Sequence, residues 1–202
     1  MTPPIPTRAE FAAMLTEPPR WLREALSGLS ASDCEAVPFA GKWSYRGFIT
    51  HIVEADLGWT DILYRAVRPH RPQHGAWDPT WKAAFDARLA NGEVDTAIAV
   101  MTDNHAAMAT WVVRLSDEDF LHPFPGVLWL VDAGLKVVVA DSARWGLYLH
   151  PYYHLAFMQR HRVALGKPLP ALDRYLQRSP GFDALTPWPP WTTAASAQPS
   201  AQ

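Results

Sequence analysis

Between Val94 and Leu115 the core-type residues fall four and three apart without a break: Val94, Ile98, Met101, His105, Met108, Val112 and Leu115. That spacing lines one side of a helix and demands a partner of the same kind, so this stretch belongs to a helical bundle rather than a sheet. The one polar member, His105, reads as a core histidine bonded to a backbone carbonyl, or as a pocket-lining group or distal proton carrier. A second segment repeats the pattern with Phe48, Ile52, Ala55, Trp59, Ile62 and Ala66, entered through Ser44, a residue type suited to capping a helix N-terminus. His51 lies at the edge of this stripe, while Glu54 and Asp61 point away from it.

Two further helices complete the set. One runs from about residue 8 to 29 and is interrupted at Pro18 and Pro19, which can open a second helical piece but cannot sit inside one; "SASD" follows as a loop that carries Cys34. The other covers roughly residues 142 to 166, capped by Asp141, with the stripe Ala143, Gly146, Leu147, His150, His154, Phe157 and His161. Pro151 falls inside it and should bend it. On its opposite face Trp145, Tyr148 and Tyr152 form an aromatic surface of the kind that packs on another helix or a second subunit. Residues 68 to 80 are a proline-rich connection, "PTWKAAFDARLA" a short helix, and "GVLWLVDAGLKVVVAD" a short β-hairpin or an extended insert before the last helix. The expected fold is all-α, a four-helix bundle in a single domain over residues 1–185. A mobile Pro/Ala/Ser-rich tail, residues 186–202, contains Trp188 and Trp191.

Composition removes several functions. With net charge −2 the chain lacks the basic surface that a nucleic-acid partner requires. The single cysteine rules out an internal disulfide and suits a reducing compartment. No apolar run approaches the roughly 18 to 20 residues of a membrane span, and the N-terminus lacks a signal-peptide pattern, so a cytoplasmic location is expected. Phosphate-binding loops, dinucleotide fingerprints, nucleophile elbows and the H-E-x-x-H motif are all missing.

The chemistry lies in "YLHPYYHLAFMQRHR". His150 and His154, one helical turn apart, present their rings to one point, near enough to share an ion. Spacing alone is weak evidence, since roughly 0.3 such pairs arise by chance among eight histidines in a chain of this length. A second pair, His70 and His74, falls in the proline-rich loop with no helix to align it. Context favours the first pair, because both members and His51 face the bundle core. Three buried imidazoles need either shared hydrogen bonds or a metal. His161, about 10 Å along the axis from His154, lies too far to share the ion, and His122 reads as loop.

"GKWSYRGFITHIVEAD" resembles the second-helix signature of the DinB/YfiT-like metal-dependent superfamily, with Ser44, His51 seven residues on and Asp56 five beyond that. "HPYYHLAFMQRHR" is similar to the last-helix pattern of that family, with His150 and His154 at its outer histidine positions. Tyr153 stands where many members carry a further histidine, and Phe157 where glutamine is common. The resemblance spans about residues 8 to 166. It implies a four-helix bundle of DinB/YfiT-like type in which His51, His150 and His154 bind one divalent metal. Zinc is the default ion, with nickel, iron or manganese as alternatives. Asp56 and His105 are candidates to support the site from behind. The implied activity is a metal-dependent enzyme acting on a small molecule. Thiol-dependent S-transfer with a low-molecular-weight thiol such as bacillithiol or mycothiol comes first; amide hydrolysis and a non-catalytic metal- or ligand-binding stress protein are the alternatives. A homodimer is also implied.

Overall fold

A computed structural model describes residues 5–67, 83, 87, 94–123 and 138–168. The pair His70 and His74, nearly all of the "PTWKAAFDARLA" segment, and the tail with Trp188 and Trp191 lie outside the described residues, as does the Trp145 side chain. Among the described residues every regular element is helical. None of these helices is long and apolar enough to cross a membrane.

The first rod is α1 (Arg8–Met14) followed by α2 (Glu17–Leu26). Thr7 and Glu10 form a reciprocal cap on α1, and Pro18 and Pro19 occupy the first turn of α2, where a missing N–H costs nothing. "SASD", expected to be loop, starts a short helix instead: α3 (Ala31–Glu35), nucleated by a second reciprocal cap between Ser30 and Asp33. This places Cys34 in a helix and buries it. The second rod is α4 (Tyr45–Ala66), capped by Ser44, whose hydroxyl accepts from Gly47 N at 3.2 Å. The third is α5 (Val94–Val112), and its expected seam is buried from Ile98 through Leu115. A single turn, α6 (Asp117–Phe120), follows.

The last rod departs from the expected boundaries. It begins as α7 (Val139–Arg144), two residues before Asp141, so Asp141 is helical rather than a cap. The start is set by the base of the preceding insert, where Pro123 and Val138 form one antiparallel bridge and Val139 N donates to His122 O at 3.0 Å. The rest of the insert lies outside the described residues. A π-helical turn, Trp145–Leu149, then leads into α8 (His150–Ala164). Pro151 sits in the first turn of α8, so the widened turn before it accommodates the lost backbone donor. The same turn brings Gly146 against α4: a Cβ at Gly146 would lie 2.3 Å from Trp59 Cγ.

The rods pack as α4 on α5, α4 on α8, α2 on α5 and α2 on α8. The first and second rods are therefore diagonal, as are the third and fourth. Arg162, buried on α8, ties the ring together by donating to Ala25 O at 2.7 Å and Ser27 O at 2.9 Å at the end of α2. The Tyr45 hydroxyl similarly donates to Met158 O at 2.5 Å.

One expectation about faces needs correction. The stripe read along α4 is an edge of the true core face. Ile49, Ile52, Asp56, Thr60, Leu63 and Val67 are buried, while Ile62 is 42% exposed. Counting only apolar residues passed over Asp56 and Thr60, polar groups that are buried because they satisfy each other and α5. The aromatic face of the last rod packs on another helix, one of the two partners expected for it. Tyr148 and Tyr152 pack edge-on against Trp21 of α2, and the Tyr148 hydroxyl donates to Glu17 at 3.0 Å.

Candidate metal centre

Helices α4 and α8 are neighbours, and their three histidines meet between them. His150 Nε2 stands 3.2 Å from His51 Nε2 and 3.0 Å from His154 Nε2, and one nitrogen from each ring lies within 4.8 Å of the others. Nitrogens on a tetrahedral ion with bonds of about 2.0–2.1 Å lie about 3.3 Å apart, so this spacing matches the edge of such a shell. His154 is buried, and His51 and His150 are half-buried. Among the described residues this is the one cluster of three metal-type side chains.

Burial holds all three imidazoles neutral. It lowers the His51 pKa; burial, with His51 nearby, brings His150 down to about 4; and burial, with His150 and His51 nearby, brings His154 down to about 2. The Nδ1 atoms of His150 and His154 are buried without a hydrogen-bond partner. A neutral ring has one proton for two nitrogens, so a ring that carries it on Nδ1 turns its Nε2 lone pair to the meeting point, where a neighbouring N–H or a cation can take it. A cation at that point can take one lone pair from each ring. The donor set therefore fits a divalent metal of the imidazole-binding kind.

Asp56 and His105 are brought together with each other, not with the three histidines. Five residues after His51, Asp56 is turned about 140° around α4 and faces α5 instead of α8. His105 Nδ1 donates to Leu15 O at 2.7 Å, and Nε2 donates to Asp56 Oδ1 at 2.6 Å. Asn104 Nδ2 donates to Asp56 Oδ2 at 2.6 Å and to Thr60 Oγ1 at 2.8 Å, and Thr60 in turn donates to Asp56 O at 2.9 Å. Burial alone would push His105 down, but the Asp56 carboxylate and the Leu15 carbonyl together hold it above its ordinary value. With an acceptor oxygen at each ring nitrogen, the surroundings favour the protonated ring. Both Asp56 oxygens are engaged there, which leaves none to support His150 or His154. Asn104 and Thr60 escaped sequence reasoning; only their positions one residue before His105 and one turn after Asp56 hinted at them.

His161 is fully buried and packs on Phe39, Tyr45 and Phe48, with ring centroids 5.3, 5.9 and 5.2 Å away. It is not a member of the trio. His122 is exposed, as its loop setting suggested. Aromatic rings surround the trio: Trp43 is 4.5 Å from His51, Phe48 5.8 Å from His154 and Tyr153 5.2 Å from His154.

A profile of the DinB superfamily matches residues 14–158, which takes in α2, α4, α5 and all three histidines. The chain belongs to the DinB superfamily. Among solved structures, this DinB chain is similar to YfiT from Bacillus subtilis, described as a probable metal-dependent hydrolase with an unusual four-helix bundle topology. The two are 16% identical with a TM-score of 0.59, over 83% of this chain and 95% of YfiT. That likeness is one of fold. No curated protein sequence matches the chain.

Proposed function

We propose that this DinB chain is a metal-dependent enzyme acting on a small molecule, with His51, His150 and His154 as the protein ligands of one divalent ion. The observation that carries the reading is the meeting of three neutral imidazoles through Nε2 atoms 3.0 and 3.2 Å apart. The fold shared with YfiT, itself a probable metal-dependent hydrolase, supports it. When bound, such an ion supplies a Lewis-acid position at which water or a thiol gives up its proton near neutral pH. Zinc suits three imidazoles, and nickel, iron and manganese are the alternatives.

The chain's own residues do the rest. Helices α4 and α8 fix the rings, and the buried Phe48 and Phe157, stacked at 6.1 Å, both pack against His154. The buried carboxylate nearest in sequence, Asp56, is committed to His105. Among the described residues no carboxylate joins the histidine trio. This favours a reaction that needs no separate general base: transfer of a low-molecular-weight thiol, of the bacillithiol or mycothiol kind, to an electrophilic small molecule. Amide hydrolysis is the second reading, favoured by the likeness to YfiT.

Elemental analysis of protein purified without added metal, followed by assays of the loaded protein, tests both. We expect one divalent ion per chain, consumption of a thiol with a generic electrophile, and loss of both ion and rate in His154→Ala with the helical content kept. Cleavage of aryl amides without thiol would select the second reading. Metal-dependent melting with neither rate would sink the enzymatic reading and leave a metal binder.

A further inference from the structure

We infer that Trp43 is the recognition wall of the metal centre, and that the molecule taken there carries a flat aromatic group next to the atoms that reach the ion. The inference rests on the metal-centre reading above and names the substrate class for that site.

Trp43 directly precedes the Ser44 cap, and its indole folds back over the first turn of α4 towards the histidines. Gly47 makes the space: a Cβ there would lie 2.9 Å from Trp43 Cβ and 3.5 Å from Trp43 Cγ. The ring comes to rest 4.5 Å from His51 at 43°, 5.5 Å from Phe48 edge-on, and 6.1 Å from His154. Three ring contacts hold the indole, yet Trp43 remains 47% exposed. Among the described residues the other large exposed apolar side chains are all aliphatic. An indole already fixed in orientation loses little further freedom when a second ring covers it, and its open face gains by leaving water. Tyr153, half-buried and 4.6 Å from Phe157, adds another ring at His154. Trp43 and Tyr153 both border the histidines, so a ligand whose head reaches the three Nε2 atoms can lay an aromatic group on Trp43, which an aliphatic group pairs with less well.

Acetohydroxamate and benzohydroxamate share one chelating head and differ by methyl against phenyl. Isothermal titration of the metal-loaded protein with each reads the wall without any turnover. We expect the phenyl compound to bind at least roughly tenfold more tightly, the size of one good aromatic pair. Trp43→Ala should remove that preference while metal stoichiometry and acetohydroxamate affinity hold, and Trp43→Phe should keep part of it. Gly47→Ala, which displaces the indole with Trp43 still present, serves where Trp43→Ala does not fold. Equal binding of the two compounds by the native protein overturns the inference, as does a preference that survives Trp43→Ala or Gly47→Ala. Failure of the native protein to take up metal, or of the loaded protein to bind acetohydroxamate, sinks the metal-centre reading and this inference with it.

Discussion

Asp56 offers a test of the bundle's second polar station through two substitutions of opposite consequence. Asp56→Ala removes the counter-charge of a fully buried imidazolium and leaves His105 Nε2 and Asn104 Nδ2 short of acceptors. Breaking a buried pair from one side costs about 3–5 kcal/mol. At about 2–4 °C per kcal/mol for a chain of this size, the melting temperature falls by about 6–20 °C. Asp56→Asn instead permits a neutral rearrangement. His105 keeps its Nδ1 proton on Leu15, its Nε2 accepts from the new amide, and the amide oxygen accepts from Asn104. The cost is small, and the pH dependence changes. In the native protein the His105 pKa is raised on folding, so the pair's contribution is full below about pH 6.5 and is lost as pH rises through the raised value. Asp56→Asn should flatten that alkaline decline. Urea midpoints between pH 6.5 and 9.5 for the native and both variant proteins measure it. A native stability that is flat over this range, together with a cost below about 1 kcal/mol for Asp56→Ala, would refute the charged pair.

The acid side carries the opposite sign. Burial lowers His161 to about 4, so its neutral form contributes stability above about pH 6.5 that is lost as pH falls towards 4. His161→Phe should shift the urea midpoint less between pH 7 and 5 than the native metal-free protein does. Gly146→Ala forces a methyl to within 2.3–2.8 Å of the Trp59 ring, and overpacking of this kind costs about 1–3 kcal/mol in thermal unfolding. Cys34 is buried and its thiol is pushed up by burial, with Asp33 and Glu35 adding to the effect. A thiol reagent at pH 7.5 should leave it unmodified until denaturant is added.

The parts of the fold that could be read from sequence are those where burial and apolarity coincide. The seam from Ile98 on α5 to Leu115 just past its end is nearly all apolar, and each of its predicted positions is buried, with Val94 before them half-buried. On α4 the true face passes through Asp56 and Thr60, and a reading based on apolar spacing slid to the neighbouring edge that ends at the exposed Ile62. The proline pair at the head of α2 was legible because its backbone chemistry is local. The short helix α3 was not, because "SASD" suits a loop as well as a cap and only the Ser30–Asp33 pairing decides. At the site, the two-histidine turn on α8 and the resemblance of both motifs pointed to residues that the fold brings together. The partnership of Asp56 with His105 depends on which rods are neighbours, a fact that no single helix encodes.

That order of rods also explains how one helix serves two polar stations of opposite proton logic. Because α4 touches both α5 and α8, residues 51 and 56 address different neighbours. On the α5 side one imidazole meets a carboxylate that favours its protonated form. On the α8 side three imidazoles meet without an acid among them, stay neutral, and keep their lone pairs available. A carboxylate placed among the three would draw a proton onto one ring and remove a ligand unless a metal displaced it. Turning Asp56 away from the trio by about 140° therefore does two things at once. It anchors α1, α4 and α5 through a hydrogen-bond chain, and it leaves three neutral bases converging between α4 and α8.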